Sequence, residues 1–159
     1  MHVGVVVYGA LDRRSGGYLY DREVADRLEA AGDRVSVVSL PERDGLAAHA
    51  HNLVPALRRR IEALDADAVL VDELCHPSLW WALGRVETPA TLVAVVHHLR
   101  SSEGLGGWRA RLVAGLERRF LRAADAYVYN GRTTRDTVGA LVDPDPSVIA
   151  PPGGDRLGH

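Results

Sequence analysis

Lysine is absent from this 159-residue chain: all 19 basic residues are arginine. That excludes every mechanism built on a lysine amine, the Schiff base and the P-loop among them. Cysteine occurs once, as Cys75, so neither a disulfide framework nor a cysteine-rich metal site is available, and a reducing interior suits the chain. No apolar run approaches the roughly 20 residues of a membrane span. The opening MHVGVVVYGALDRRSGG carries no basic leader ahead of an apolar core, so a cytoplasmic protein is expected, at most peripheral to the inner face of a membrane. A net charge of −2, well mixed along the chain, argues against a nucleic-acid partner and against an acidic tail. There is no internal repeat and no low-complexity stretch.

What the chain does have is alternation. Short β-branched runs at 3–8, 34–40, 68–72, 91–97, 126–130 and 147–150 read as strands, and segments of helical spacing at 18–32, 51–66, 77–84, 107–124 and 131–142 lie between them. Leu19, Val24, Ala25, Leu28 and Ala31 form the apolar stripe of the first helix, which Gly32 stops. The expected fold is α/β: a Rossmann-like, doubly wound parallel sheet of about six strands in a three-layer αβα sandwich. Residues 1–150 form its single domain, and 151–159, with Pro151-Pro152-Gly153-Gly154, read as a hinge or tail.

Ligands in such a sheet sit at the carboxyl ends of the strands, so the residues that follow each strand are the candidates. After the first strand, Ser15-Gly16-Gly17 either turns the chain into the helix or lets backbone N–H groups approach a phosphate. It is not the dinucleotide fingerprint, because GxGxxG is missing and the second strand ends in Ser39-Leu40 without an acidic ribose ligand. His97 and His98 close the fourth strand and point to opposite sides, one towards the cleft as base, donor or loop anchor. They make no ligand pair, and His2, His49, His51, His76 and His159 lack ligand spacing, so no metal is expected. Asp72 and Glu73 diverge as sequence neighbours, with one of them capping or orienting the next segment. Trp80 and Trp81 serve as packing bulk or as the wall of an acceptor groove. The stretch from Leu99 to Arg122 holds six arginines against two glutamates, and Trp108, Leu112, Leu116 and Phe120 recur at intervals of four. That stripe either faces the core or lies on anionic lipid, with Trp108, Arg109 and Arg111 at the interface.

In order, these passages resemble the N-terminal, acceptor-side domain of family 4 retaining glycosyltransferases of GT-B architecture. LEAAGDRVSVVSL is similar to the family's helix, G-H-x-V and strand, with Asp33 in place of the histidine. AVVHHL places His97 at the family's acceptor-side histidine, and LERRFLRAADAYVYNGRTTRDTV follows its A-D turn and strand, with Asn130 and Gly131 where serine is common. VIAPPGGD resembles the V-I-P-N-G-V-D hinge, with Pro152 and Gly154 at the Asn and Val positions.

The resemblance implies a transferase that moves a sugar from a nucleotide-sugar to the hydroxyl of a sugar, lipid or small-molecule acceptor, with no metal cofactor. It assigns a catalytic part to His97, donor approach to Gly16 and Gly17, and acceptor binding to Tyr18, Glu73, His76, His98 and Asn130. It also implies a C-terminal nucleotide-sugar domain beyond the hinge, in cis or as a partner chain, without which these residues are expected to be inactive. A stand-alone flavodoxin-like ligand-binding module is the alternative, and a nucleotide-dependent oxidoreductase is a weaker one.

Overall fold

Val3 to Val7 is so uniformly apolar that both faces of the strand carrying it must be covered, and they are: five consecutive residues are buried. In the computed structural model, which describes residues 1–9, 16–104 and 106–153, this strand is β1 (His2–Tyr8). It lies between β2 (Arg34–Leu40) and β3 (Ala68–Asp72). β4 (Thr91–Val96), β5 (Ala126–Tyr129) and β6 (Ser147–Ile149) extend the sheet in the order β2-β1-β3-β4-β5-β6, every pair parallel. Val5 sits beside Val37 on one side and Leu70 on the other, and Val95 pairs with Val128. The expected parallel α/β domain of six strands is what forms. The chain reverses its direction of travel between β2 and β3, which puts a switch point at the carboxyl ends of β1 and β3.

Right-handed crossovers then sort the helices. On one face Val3, Val5 and Val7 pack with Leu70 and with Leu28 of α1 (Gly16–Ala30). On the other, Val6, Val69, Val71, Ala94 and Val96 meet α3 (Pro55–Glu62) through Leu57 and Ile61. The same core takes Leu79 of α4 (His76–Leu79), Phe120 and Leu121 of α5 (Gly107–Leu121) and Val138 of α6 (Arg132–Gly139). A short α2 (Gly45–Ala50) precedes α3.

Three helical expectations need correction. Residues 51–66 do not form one helix: Val54 is extended ahead of Pro55, so a 3₁₀ turn over His51–Leu53 ends there and α3 begins with proline at its first position. Residues 77–84 break into α4 and a 3₁₀ turn at Leu83–Arg85, and α2 was not anticipated. The apolar stripe of α5 is divided. Phe120 is buried, whereas Trp108 is 70% and Leu112 54% exposed, so the stripe is covered only towards the C-terminal end of α5. Trp81 is covered by the guanidinium of Arg85, 3.4 Å above its ring, while Trp80 packs against the large core.

Asn52 joins the pieces that no regular helix connects. Its amide donates to the carbonyls of His49 (3.0 Å) and Pro77 (2.9 Å), and its oxygen accepts from Trp81 N–H (2.9 Å) and Ala82 N–H (3.2 Å). Replacing Asn52 with Leu leaves these buried backbone groups unpaired, and denaturant unfolding should show a loss of about 3 kcal/mol. A loss under about 1 kcal/mol would mean that the clamp is dispensable.

Candidate functional site

The carboxyl end of β4 is held from every side at His97. Its backbone N–H donates to Glu73 Oε2 at 3.0 Å, and its carbonyl accepts from Asn130 Nδ2 at 3.0 Å and Thr134 Oγ1 at 3.2 Å. The single O–H of Thr134 is shared between that carbonyl and Asn130 Oδ1, 2.6 Å away, so the loop after β5 and the start of α6 grip one peptide. The ring is fixed as well. Nε2 lies 3.1 Å from Asp21 Oδ1, and Tyr20 packs edge-on with its centroid 4.9 Å away. Gly17 lies beside that ring, where a Cβ would make ordinary van der Waals contact at 3.4 Å from His97 Cδ2.

Behind the ring is a buried acidic group. Asp21, Asp72 and Glu73 are all buried, from α1 and from the end of β3. Asp72 accepts from Leu74 N–H at 3.0 Å and caps the turn at Glu73–Cys75, the orienting role expected of one member of the pair. Burial, followed by the charge of Asp21, pushes the Asp72 carboxyl up to about 7. Glu73 is raised by burial and then by Asp72. For His97, burial opposes the charged form, but the hydrogen bond and charge of Asp21 outweigh it and the imidazole is raised.

A separate cleft of about 560 Å³ opens at the same edge of the sheet, lined among others by Tyr18, Glu73, His76, His98 and Arg100. Tyr18 gives it a ring while its hydroxyl donates to the carbonyl of Tyr8. His98 stands exposed with Nε2 3.6 Å from Glu103. His76 places Nδ1 3.1 Å from the carbonyl of Glu73, and burial, with Arg100 and His49 adding to it, lowers its pKa to about 4. It is therefore a neutral imidazole that donates from Nδ1 and keeps Nε2 as an acceptor. The loop above is pinned by Glu117 of α5, whose carboxylate takes Ser101 N–H at 3.2 Å.

The candidates thus separate into groups. His97, Gly17 and Asn130 meet, while Tyr18, Glu73, His76 and His98 surround the cleft, which His97 does not line. Gly16 opens on a groove of about 320 Å³ with Tyr20, Pro151 and Pro152. A Cβ on Gly16 would meet nothing within 4 Å, so no close approach demands glycine there. Ser15, Gly154 and the remainder of the tail lie outside the described residues. Trp108, Arg109 and Arg111 are exposed at the start of α5, whose Val113 and Leu116 reach the cleft wall.

Sequence reasoning missed Asp21, Thr134 and Glu117. A signal existed for Asp21, which shares a helical face with Tyr18 and Ala25, all three buried. The fold also brings Asp21, Asp72 and His97 together from distant parts of the chain, with one ligand atom of each within 4.8 Å of the others.

A parallel sheet with glycine, histidine and buried carboxylates gathered at its carboxyl edge, beside an open cleft, defines a Rossmann-like domain. Residues 2–153 match the Glycosyl transferase 4-like domain, and the chain belongs to that family. It is a glycosyltransferase-type domain. Comparison with curated proteins and with solved structures gives no match.

The His76 environment has a measurable consequence. Its folded pKa of about 4 lies below the ordinary 6.5, so between those values the unfolded chain binds the extra proton and stability falls as pH falls. Asp72 and Glu73 act in the opposite direction and cancel in a comparison with His76→Leu. Between pH 7 and pH 5, the native chain should lose more stability in urea than this variant does. Equal losses would show that His76 does not titrate as its surroundings require.

Proposed function

We propose that this domain is the acceptor-side half of a retaining glycosyltransferase that moves a hexosyl group from a nucleotide-sugar to an acceptor hydroxyl. The observation that carries the reading is the cleft with a neutral His76 on its wall, next to a strand end at which His97 is held by five separate contacts. An acceptor hydroxyl in the cleft donates to Nε2 of His76, with His98 and Arg100 at the rim. His97, fixed by Asp21 on the other side of the strand end, orients the donor sugar. The hydroxyl attacks the anomeric carbon on the face from which the diphosphate leaves, through an oxocarbenium-like state, and the configuration is retained. N–H groups at the Gly16-Gly17 helix start face the charge that develops on the leaving phosphate. No step is assigned to a metal.

Most donor contacts belong to a second, nucleotide-sugar-binding unit, in cis or as a partner chain. The hinge character of Pro151-Pro152-Gly153 supports this, as does the attachment of that segment to α1 through Tyr20, whose hydroxyl donates to the Ala150 carbonyl at 2.8 Å. The reading places the enzyme in the cytoplasm, with the exposed Trp108, Leu112, Arg109 and Arg111 of α5 touching an anionic membrane face. Among the described residues no helix is long and apolar enough to cross a membrane.

Calorimetry with nucleoside diphosphates and their sugars should show little binding to these 159 residues alone. Tight stoichiometric binding would instead favour a stand-alone ligand module. In the presence of the donor-binding unit, His97→Ala should lower kcat/KM about 100-fold. Sedimentation with phosphatidylglycerol vesicles should retain the chain at low salt and release it as salt rises. Retention that is insensitive to salt, or no retention at all, would remove the membrane face.

A further inference from the structure

Two carboxylate oxygens under α1 have no partner. Asp21 is 4% and Asp72 2% exposed, and Oδ2 of each is buried without a hydrogen bond. Native proteins leave few such atoms unpaired, and a missing ion or water is a recognised reason. No arginine contacts either group among the described residues, so the His97 imidazole, raised by Asp21, faces two buried aspartates while Glu73 adds a third buried carboxyl. A cavity of about 30 Å³, bounded by Asp21, Asp72, Tyr20, Val24, Val95 and Val128, lies against them. That volume admits one or two water-sized occupants.

We infer that Asp21, Asp72 and His97 form the binding site of one divalent first-row transition cation, Mn²⁺ or Zn²⁺, that fastens α1 to the ends of β3 and β4. One ligand atom from each residue lies within 4.8 Å of the other two. Asp21 Oδ1 and His97 Nε2, 3.1 Å apart, already have the spacing of neighbouring ligands, which is about 3 Å when both bonds are near 2.1 Å. Asp72 caps Leu74 through Oδ1 and shares a hydrogen bond with the neighbouring Glu73 carboxyl, which the cation displaces as the Asp72 carboxylate moves inward. Two carboxylates and one imidazole form a mixed hard and borderline set, which suits these ions better than Ca²⁺ or a thiolate-seeking ion. The cation engages Nε2 of His97 and leaves Nδ1 for a substrate, and its charge offsets both aspartates. This site does not depend on the transferase reading of the cleft, and its test needs no activity.

The purified chain is stripped with EDTA, incubated with MnCl₂ or ZnCl₂, desalted and assayed by mass spectrometry for metal, with thermal melts in parallel. About one ion should be retained per chain, and at a hundredfold excess over Kd the midpoint should rise by about 5 °C or more. Asp72→Asn keeps the Leu74 cap and loses the ion. Its metal-free midpoint should equal or exceed that of the native chain, because a buried charge is gone, which shows that the fold survives. Asp21→Asn is the second variant and should lose the ion in the same way. The inference is overturned if neither ion is retained and the midpoint does not move. It is also overturned if both variants hold the ion as well as the native chain does, since exposed histidines such as His98 are then the ligands.

Discussion

The hydrogen bond from the His97 backbone to the Glu73 carboxylate couples the two strand ends on which the site depends. Glu73 follows β3 and His97 follows β4, so this bond continues the sheet's pairing one step past its last residues, through a side chain. It requires a carboxyl group in a buried place, and burial of that kind is unfavourable unless the group is hydrogen-bonded or holds a proton. Glu73 answers on both counts: it accepts from a backbone N–H, and its surroundings raise its pKa. The peptide it holds is gripped from the opposite side by Asn130 and Thr134. The histidine is therefore positioned by its neighbours in the sheet and not by its own loop.

The period of two along a strand then divides the chemistry. His97 and His98 are consecutive, and their side chains leave the strand end in opposite directions. His97 turns under α1 to Asp21 and Tyr20, whereas His98 turns to the cleft with His76 and Arg100. One edge of one sheet thus carries a fixed, charge-rich pocket on one side and an open cleft on the other. Glu73 belongs to both, since it lines the cleft and bonds to the His97 backbone.

The sheet was legible in the sequence because its signal is local. Runs such as VGVVVY and TLVAVV are too apolar for anything but strands covered on both faces, and every strand lies within a residue or two of its expected bounds. The helices were less legible where competing local rules applied. Pro55 fits a helical stripe but forbids helix at Val54, and the second rule won. In α5 the spacing of four was real, yet spacing says only which residues share a face, not how much of that face is covered. Asn52, Thr134 and Glu117 act through backbone groups far away in sequence, and no periodicity encodes such partners. Asp21 was visible as a charged residue among apolar helix positions. Its meaning was hidden, since both Asp72 and His97 are more than fifty residues away along the chain.

The helix α1 shows why a charged residue belongs on that face. Among the described residues four crossovers cover one side of the sheet and only α1 covers the other, so Leu70, Val93 and Val128 remain half-buried and Val148 is exposed. The apolar contact available to α1 is correspondingly small, centred on Leu28 with Val3, Val5 and Val7. Its N-terminal half is held instead by three directed polar contacts: Tyr18 to the Tyr8 carbonyl, Tyr20 to the Ala150 carbonyl, and Asp21 to His97. Apolar packing tolerates a small slide or rotation of a helix, whereas hydrogen bonds to three different elements do not. A rotation by one residue, about 100°, would break all three together. The residues that fix the helix are thus also the residues that fix the histidine, and the placement of α1 and the geometry of the site are a single constraint.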